Sequence, residues 1–163
     1  MPDFDLQLRR KYAFRVGDRK LVLIKKPVES VRHVLMKVLL GALYLPAYPG
    51  LQVEVSIGER YKPDLVDAGP EGPCFWGEAG SVGSEKLRRL LKRFPHTHFA
   101  LTVWDTGLDP LERRVRRAAK GLNRSAPVDV IRFPADAGRR FVDDRGVVAV
   151  THADLNWRRV GPS

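Results

Sequence analysis

Two carboxylates are the first residues with chemical promise. Asp64 follows Pro63, and Glu78 stands beyond a Gly69-Pro70-Glu71-Gly72-Pro73 turn, at the end of the short apolar stretch Cys74-Phe75-Trp76-Gly77. Two antiparallel strands joined by such a turn can bring two carboxylates to one end of a sheet. Paired carboxylate oxygens suit Mg²⁺, which keeps several waters and takes phosphate oxygens as further ligands. Metal-assisted phosphodiester cleavage needs that set: a Lewis acid, an activated water and a positioned phosphate. Asp64 and Glu78 are therefore the expected metal-binding and catalytic carboxylates, with Mg²⁺ as the expected cofactor. A Pro-Asp pair ahead of a Glu also arises by chance in turns, so the surroundings matter. Glu78 lies between Phe75-Trp76 and Ala79-Gly80, where a buried carboxylate is costly unless it has a partner or a metal. An edge strand would instead leave it in water.

Cations follow. The stretch from Ser84 to Phe94 has Leu87, Leu90, Leu91 and Phe94 at helical spacing, and Lys86 falls near its start beside the inner face. Lys86 can reach back toward Glu78; the other charges of that helix read as a solvated face. A third helix, expected from about Pro110 to Leu122, sets Arg113, Arg116, Arg117, Lys120 and Arg124 opposite Leu111, Val115, Ala118 and Leu122. Guanidinium forks match phosphate oxygens, so this stripe is the expected nucleic-acid contact, with a plain soluble surface as the competing reading. The net charge of +10 attracts polyanions in general and nucleic acid first among them. His96 and His98 share an i, i+2 spacing without an evident third ligand, so packing is the expected role. Cys74 is expected in the core, and the tryptophans read as packing. P-loop, dinucleotide-binding and zinc-finger spacings are missing from the sequence.

The elements that must position these groups can be read by periodicity. Phe4, Leu6, Leu8, Tyr12, Phe14 and Val16 share one parity, Gly17-Asp18 is turn chemistry, and Leu21 to Ile24 continue as a second strand, so a hairpin opens the chain. Pro27-Val28-Glu29-Ser30 reads as a helix start, with Val31, Val34, Leu35, Val38, Leu39 and Ala42 on the inner face and an end near Leu45. Strands are expected at Val53–Ile57, around Asp64, at Cys74–Glu78, at Phe99–Val103, at Val128–Ile131 and at Val147–Val150, with Ser84 as the cap of the second helix and a short helix near Ala135–Phe141. A mixed α/β sheet flanked by helices follows.

The 163 residues suit a single domain spanning 1–163. No apolar run approaches the roughly 20 residues that cross a bilayer. The start, Met1-Pro2-Asp3-Phe4-Asp5, is acidic and lacks the basic-then-apolar pattern of a signal, so a cytoplasmic protein is expected. The single cysteine excludes an internal disulfide.

The order of an early Glu29, then Pro63-Asp64, then Glu78 on a strand, then a helix and a strand resembles the PD-(D/E)XK nuclease core. More narrowly, the chain is similar to the YaeQ family, on the segments Leu39-Leu40-Gly41-Ala42-Leu43, Lys62-Pro63-Asp64-Leu65, Glu78-Ala79-Gly80-Ser81 and Glu85-Lys86-Leu87-Arg88. The resemblance implies a restriction-endonuclease-like core preceded by the hairpin. It implies Mg²⁺-dependent cleavage of DNA or RNA, with Asp64 and Glu78 on the metal, Glu29 in support from the first helix and Lys86 orienting water or phosphate. One position departs from the pattern: the lysine expected two residues after the acid is Gly80. Lys86 is the natural substitute and Lys62 a weaker one; without a substitute the same fold would bind nucleic acid without cutting it.

Overall fold

The computed structural model describes residues 10–27 and 29–162. Strands β1 (Arg10–Val16) and β2 (Arg19–Lys25) pair antiparallel around Gly17, whose φ of 58° suits the tight turn. The part of the expected first strand before Arg10 lies outside the described residues.

Helix α1 (Val31–Tyr44) starts four residues after Pro27 and not at it. Ser30 caps it, accepting a hydrogen bond from the His33 N–H at 3.1 Å. Glu29 thus sits in the turn before the helix and not on it. Every residue from Val34 to Tyr44 is buried, so α1 is the central helix of the molecule.

Six strands then form one sheet in sequential order: β3 (Gln52–Val53), β4 (Leu65–Asp67), β5 (Phe75–Glu78), β6 (His98–Trp104), β7 (Val128–Phe133) and β8 (Asn156–Val160). The pairs β3–β4, β4–β5 and β7–β8 are antiparallel; β5–β6 and β6–β7 are parallel. The two parallel steps need crossovers, supplied by α2 (Ser84–Arg93) and α3 (Asp109–Ala119). Strand alternation divides the core. Phe75, Ala100, Ile131 and Phe133 pack with α1 and the hairpin, while Trp76, Phe99, Leu101 and Val130 pack with α2 and α3. The mixed sheet flanked by helices is thus present, with the hairpin as a separate two-stranded layer.

Several local expectations are corrected. The strand expected through Ile57 stops at Val53, because Glu54 turns left-handed (φ 58°) and its N–H donates to the Asp64 carbonyl at 2.8 Å. Helix α2 is capped by the Gly83 backbone, with Ser84 already inside it. Helix α3 ends at Ala119, just before Gly121 at φ 77°. Helix α4 is limited to Ala137–Phe141. Residues Val147 and Val148 make only isolated bridges, to Arg15 and Val142. The last true strand is β8, which periodicity misses because Asn156, Arg158 and Arg159 put polar residues on both of its faces. Cys74 is exposed. Among the described residues, no helix is long and apolar enough to cross a membrane.

Candidate active site

The β4–β5 register sets the geometry. Leu65 stands opposite Gly77, so the next pair outward is Asp64 opposite Glu78, on the same side of the sheet. The Asp64 Oδ2 accepts the Ala79 N–H at 2.8 Å, which ties the segment before β4 to the end of β5. The Glu78 Oε1 accepts the Trp76 indole N–H at 2.9 Å, and the Lys86 Nζ stands 3.3 Å from the same oxygen. Glu78 is only 6% exposed. Among the described residues, neither Asp64 Oδ1 nor Glu78 Oε2 has a protein hydrogen-bond partner. Each carboxylate therefore keeps one oxygen uncommitted.

Gly80 explains its own departure from the nuclease pattern. Its φ of 99° is a conformation that a lysine rarely adopts. Its N–H donates to the Thr102 Oγ1 at 3.1 Å, and the Thr102 hydroxyl donates to the Glu78 carbonyl at 3.2 Å. This bend turns the chain away from β5 and into α2, which carries Lys86 back to the carboxylate.

Helix α1 closes the other side. His33 and Lys37 follow Glu29 at i+4 and i+8, one face of the chain as it enters and runs along the helix. The His33 Nδ1 meets the Glu29 Oε2 at 2.5 Å, and its Nε2 stands 3.7 Å from the Asp64 Oδ2. Lys37, 3% exposed, pairs with Glu29 at 2.5 Å and with Glu54. The left-handed turn at Glu54 is what delivers that second carboxylate. These groups, with Lys26 and Lys62, line a polar cleft of about 230 Å³ beside Asp64.

Protonation follows from these contacts. The Asp64 carboxylate, with help from Glu29, raises the His33 imidazole above its ordinary value despite burial. Burial works to raise Asp64, but His33 and the Ala79 N–H outweigh it and hold the acid low. Burial is likewise outweighed at Glu29 by Lys37 and His33, which lower it, and at Lys37 by Glu29 and Glu54, which keep the ammonium charged. Glu78 goes the other way: burial raises it, the Asp64 charge adds to this, and Trp76 and Lys86 offset only part. Two adjacent carboxyls pushed in opposite directions are a common sign of a reactive site.

The donor set fits a divalent ion only in part. Among the described residues, no group of three or more His, Cys, Asp and Glu side chains is gathered as a metal cage. Mg²⁺, however, is often held by one or two carboxylates with substrate phosphate and water supplying the rest. The two uncommitted oxygens on Asp64 and Glu78 meet that requirement. Glu29 does not join them, being engaged by His33 and Lys37.

The structure thus brings together Asp64, Glu78 and Lys86, with Glu29 one residue further out through His33. Lys62 lines the cleft without contacting either acid. Sequence reasoning missed His33, Lys37 and Glu54. Lys37 had a signal, a lysine inside the apolar run Val34-Leu35-Met36 and Val38-Leu39-Leu40; Glu54 had none. His96 and His98 do not converge: His96 meets the Ser125 hydroxyl at 2.5 Å, while His98 is committed to Asp129 and Tyr48. Of the basic stripe, Arg113, Arg116, Arg117 and Lys120 are exposed, and Arg116 pairs with Glu112 at 3.4 Å. Arg124 leaves the stripe. Its guanidinium donates to the Leu91, Phe94 and Thr97 carbonyls at 2.7 Å, fastening the end of α2 to the β6 entry.

The fold has known counterparts. The YaeQ protein from Xanthomonas axonopodis pv. citri matches with a TM-score of 0.53 at 18% identity, over 76% of this chain and 72% of that one. The YaeQ protein from Pseudomonas syringae matches with a TM-score of 0.55 at 19% identity, over 77% of this chain and 66% of that one. The chain therefore has the YaeQ fold, and more than a quarter of each of those proteins has no counterpart in it. No family model matches the sequence, and no curated protein matches it.

Proposed function

We propose that this chain is a metal-dependent phosphodiesterase of the nuclease type, acting on nucleic acid at Asp64 and Glu78. The observation that carries the reading is the Lys86 ammonium, 3.3 Å from Glu78, in the neighbourhood that Gly80 leaves without a cation. Asp64 and Glu78 would hold a divalent cation, which supplies Lewis acidity toward a phosphate oxygen when bound. The chain's own groups do the remaining work. His33 and the Ala79 N–H fix one oxygen of Asp64 and hold the acid low, leaving the other oxygen without a protein hydrogen bond. Trp76 fixes one oxygen of Glu78, whose carboxyl burial and the Asp64 charge raise. Lys86 donates hydrogen bonds to a phosphate oxygen or to the attacking water, a role suited to a compact ammonium on a flexible stem. Arg113 and Arg117 on the exposed face of α3, with Lys120 just past its end, supply sequence-independent attraction that weakens as salt rises.

The test is cleavage of single- and double-stranded DNA and RNA with and without Mg²⁺. The reading expects metal-dependent cleavage that Asp64→Asn removes, with Lys86→Ala slower by about 10²–10⁴-fold, the range of a general acid–base group. Binding of all substrates without cleavage in any metal would leave the second reading, a nucleic-acid-binding module on the same fold. The missing third metal-ligating side chain among the described residues favours that alternative.

A further inference from the structure

Past Lys86 the surface opens into a groove of about 520 Å³ between residues 59–61 and the C-terminal half of α2. Its floor is apolar, formed by Leu90 and Phe94. Its walls hold Arg60, Arg89, Lys92 and Arg93 against a single carboxylate, Glu59. Arg93 is spent on Glu59 at 3.4 Å, and Arg89 on Glu85 at 3.0 Å. Among the described residues, Arg60 and Lys92 have no acidic partner. The Tyr61 ring stands at the inner end with the Arg60 guanidinium 5.3 Å and the Lys86 Nζ 5.1 Å from its centroid. Phe94 lies beneath, tilted against the buried Trp76 at 5.5 Å and so fixed by the core. Lys86 thus touches both compartments, Glu78 on one side and the Tyr61 ring on the other.

We infer that this groove receives the single-stranded stretch of nucleic acid next to the cleaved phosphate, with a base stacked on Tyr61 and the backbone passing Arg60 and Lys92. The inference rests on the nuclease reading of Asp64 and Glu78. Aromatic rings set beside cations are how single strands are bound without sequence preference, since every base has a flat face. A base inside a duplex has both faces covered by its neighbours and cannot lie on Tyr61. The groove has the roughly 300–1,000 Å³ of small-ligand pockets, a scale suited to unstacked nucleotides and not to a double helix.

The experiment is fluorescence anisotropy of short labelled oligonucleotides in EDTA, single-stranded against a hairpin duplex, so that no cleavage contributes. The single strand should bind about tenfold more tightly. Tyr61→Leu should remove about tenfold of that affinity, the scale of one stacked base, while leaving duplex binding unchanged. Tyr61→Phe, which keeps the ring, should bind as the parent does. Arg60→Gln with Lys92→Gln should flatten the salt dependence of single-strand binding. Equal or tighter duplex binding, or a Tyr61→Leu protein that melts and binds single strands like the parent, would overturn the inference. Parallel cleavage assays in Mg²⁺ separate the two claims. Asp64-dependent cleavage without strand preference removes the groove and keeps the site. A Tyr61-dependent strand preference without cleavage keeps the groove and removes the nuclease.

Discussion

The sheet carries a cluster of buried charge toward each end of its parallel strands, and the two are built to opposite plans. At the start of β6 and β7, Asp129 is fully buried and both of its oxygens are engaged. Its Oδ2 accepts the Tyr44 hydroxyl at 2.6 Å and the His98 Nε2–H at 2.7 Å, and Arg159 grips both oxygens, at 2.8 and 3.1 Å. Tyr48 completes the chain, its hydroxyl donating to the His98 Nδ1 at 2.8 Å. Asp129 is held at about 2, with His98, Arg159 and Tyr44 outweighing its burial. At the finish of β5, Asp64 and Glu78 each keep one oxygen without a protein hydrogen-bond partner among the described residues. A saturated network is complete in itself and specifies structure; an unsaturated one retains capacity for a ligand. Charge and burial look alike at the two ends, and the uncommitted oxygens tell them apart.

The largest expected effect sits at the saturated end. Asp129→Ala strips the partner from Arg159, His98 and Tyr44 at once and should lower stability by about 3–5 kcal/mol, as loss of one member of a buried ion pair does. Asp64→Ala should change denaturation midpoints far less; comparable losses in urea would erase the contrast. Next comes Lys37→Met, which leaves Glu29 and Glu54 facing each other without their cation and should cost about 2–3 kcal/mol, below the fully buried case because Glu54 is partly exposed. Combining it with Glu54→Gln should recover part of the loss, and strict additivity would mean that the two do not interact.

Acid provides the third comparison. Asp129 has a folded value of about 2 against an ordinary 3.8. Its contribution, on the order of 2 kcal/mol, is complete above the ordinary value and vanishes as the pH falls through the folded one. Unfolding curves between those two values should therefore steepen in the parent and lose that component in Asp129→Asn. The smallest effect has the opposite sign. Glu78 is raised by burial and by Asp64, so its charge opposes folding at neutral pH. Glu78→Gln keeps an acceptor for Trp76 and should gain about 1 kcal/mol or less, as replacements at strained functional sites often do. Thermal melts at neutral pH should show it, and a clear loss would mean that Lys86 more than compensates for the burial.

The sequence carried the sheet, the crossovers and the Asp64–Glu78 pairing because each depends on local signals: alternation, Gly-Pro turns and apolar helix faces. It did not carry β8, whose Arg158 and Arg159 are turned to polar partners and water, so alternation is masked. The Asp129 hub was equally silent, since Tyr44, His98 and Arg159 are distant in sequence and meet only through tertiary packing. Arg124 looked like one more surface charge until the carbonyls of Leu91, Phe94 and Thr97 gave it a structural role. Glu54 enters the site only because its own backbone turns left-handed, which no pattern of residue types announces.

The most direct test uses Glu78→Gln, because a more stable protein cannot lose activity by unfolding. Single-turnover cleavage of one oligonucleotide in Mg²⁺ should fall by about 10³-fold relative to the parent, the scale of removing a group that stabilises transition-state charge, while the melting temperature holds or rises. A Glu78→Gln protein that cleaves at the parental rate would contradict the assignment of this end of the sheet as the active site.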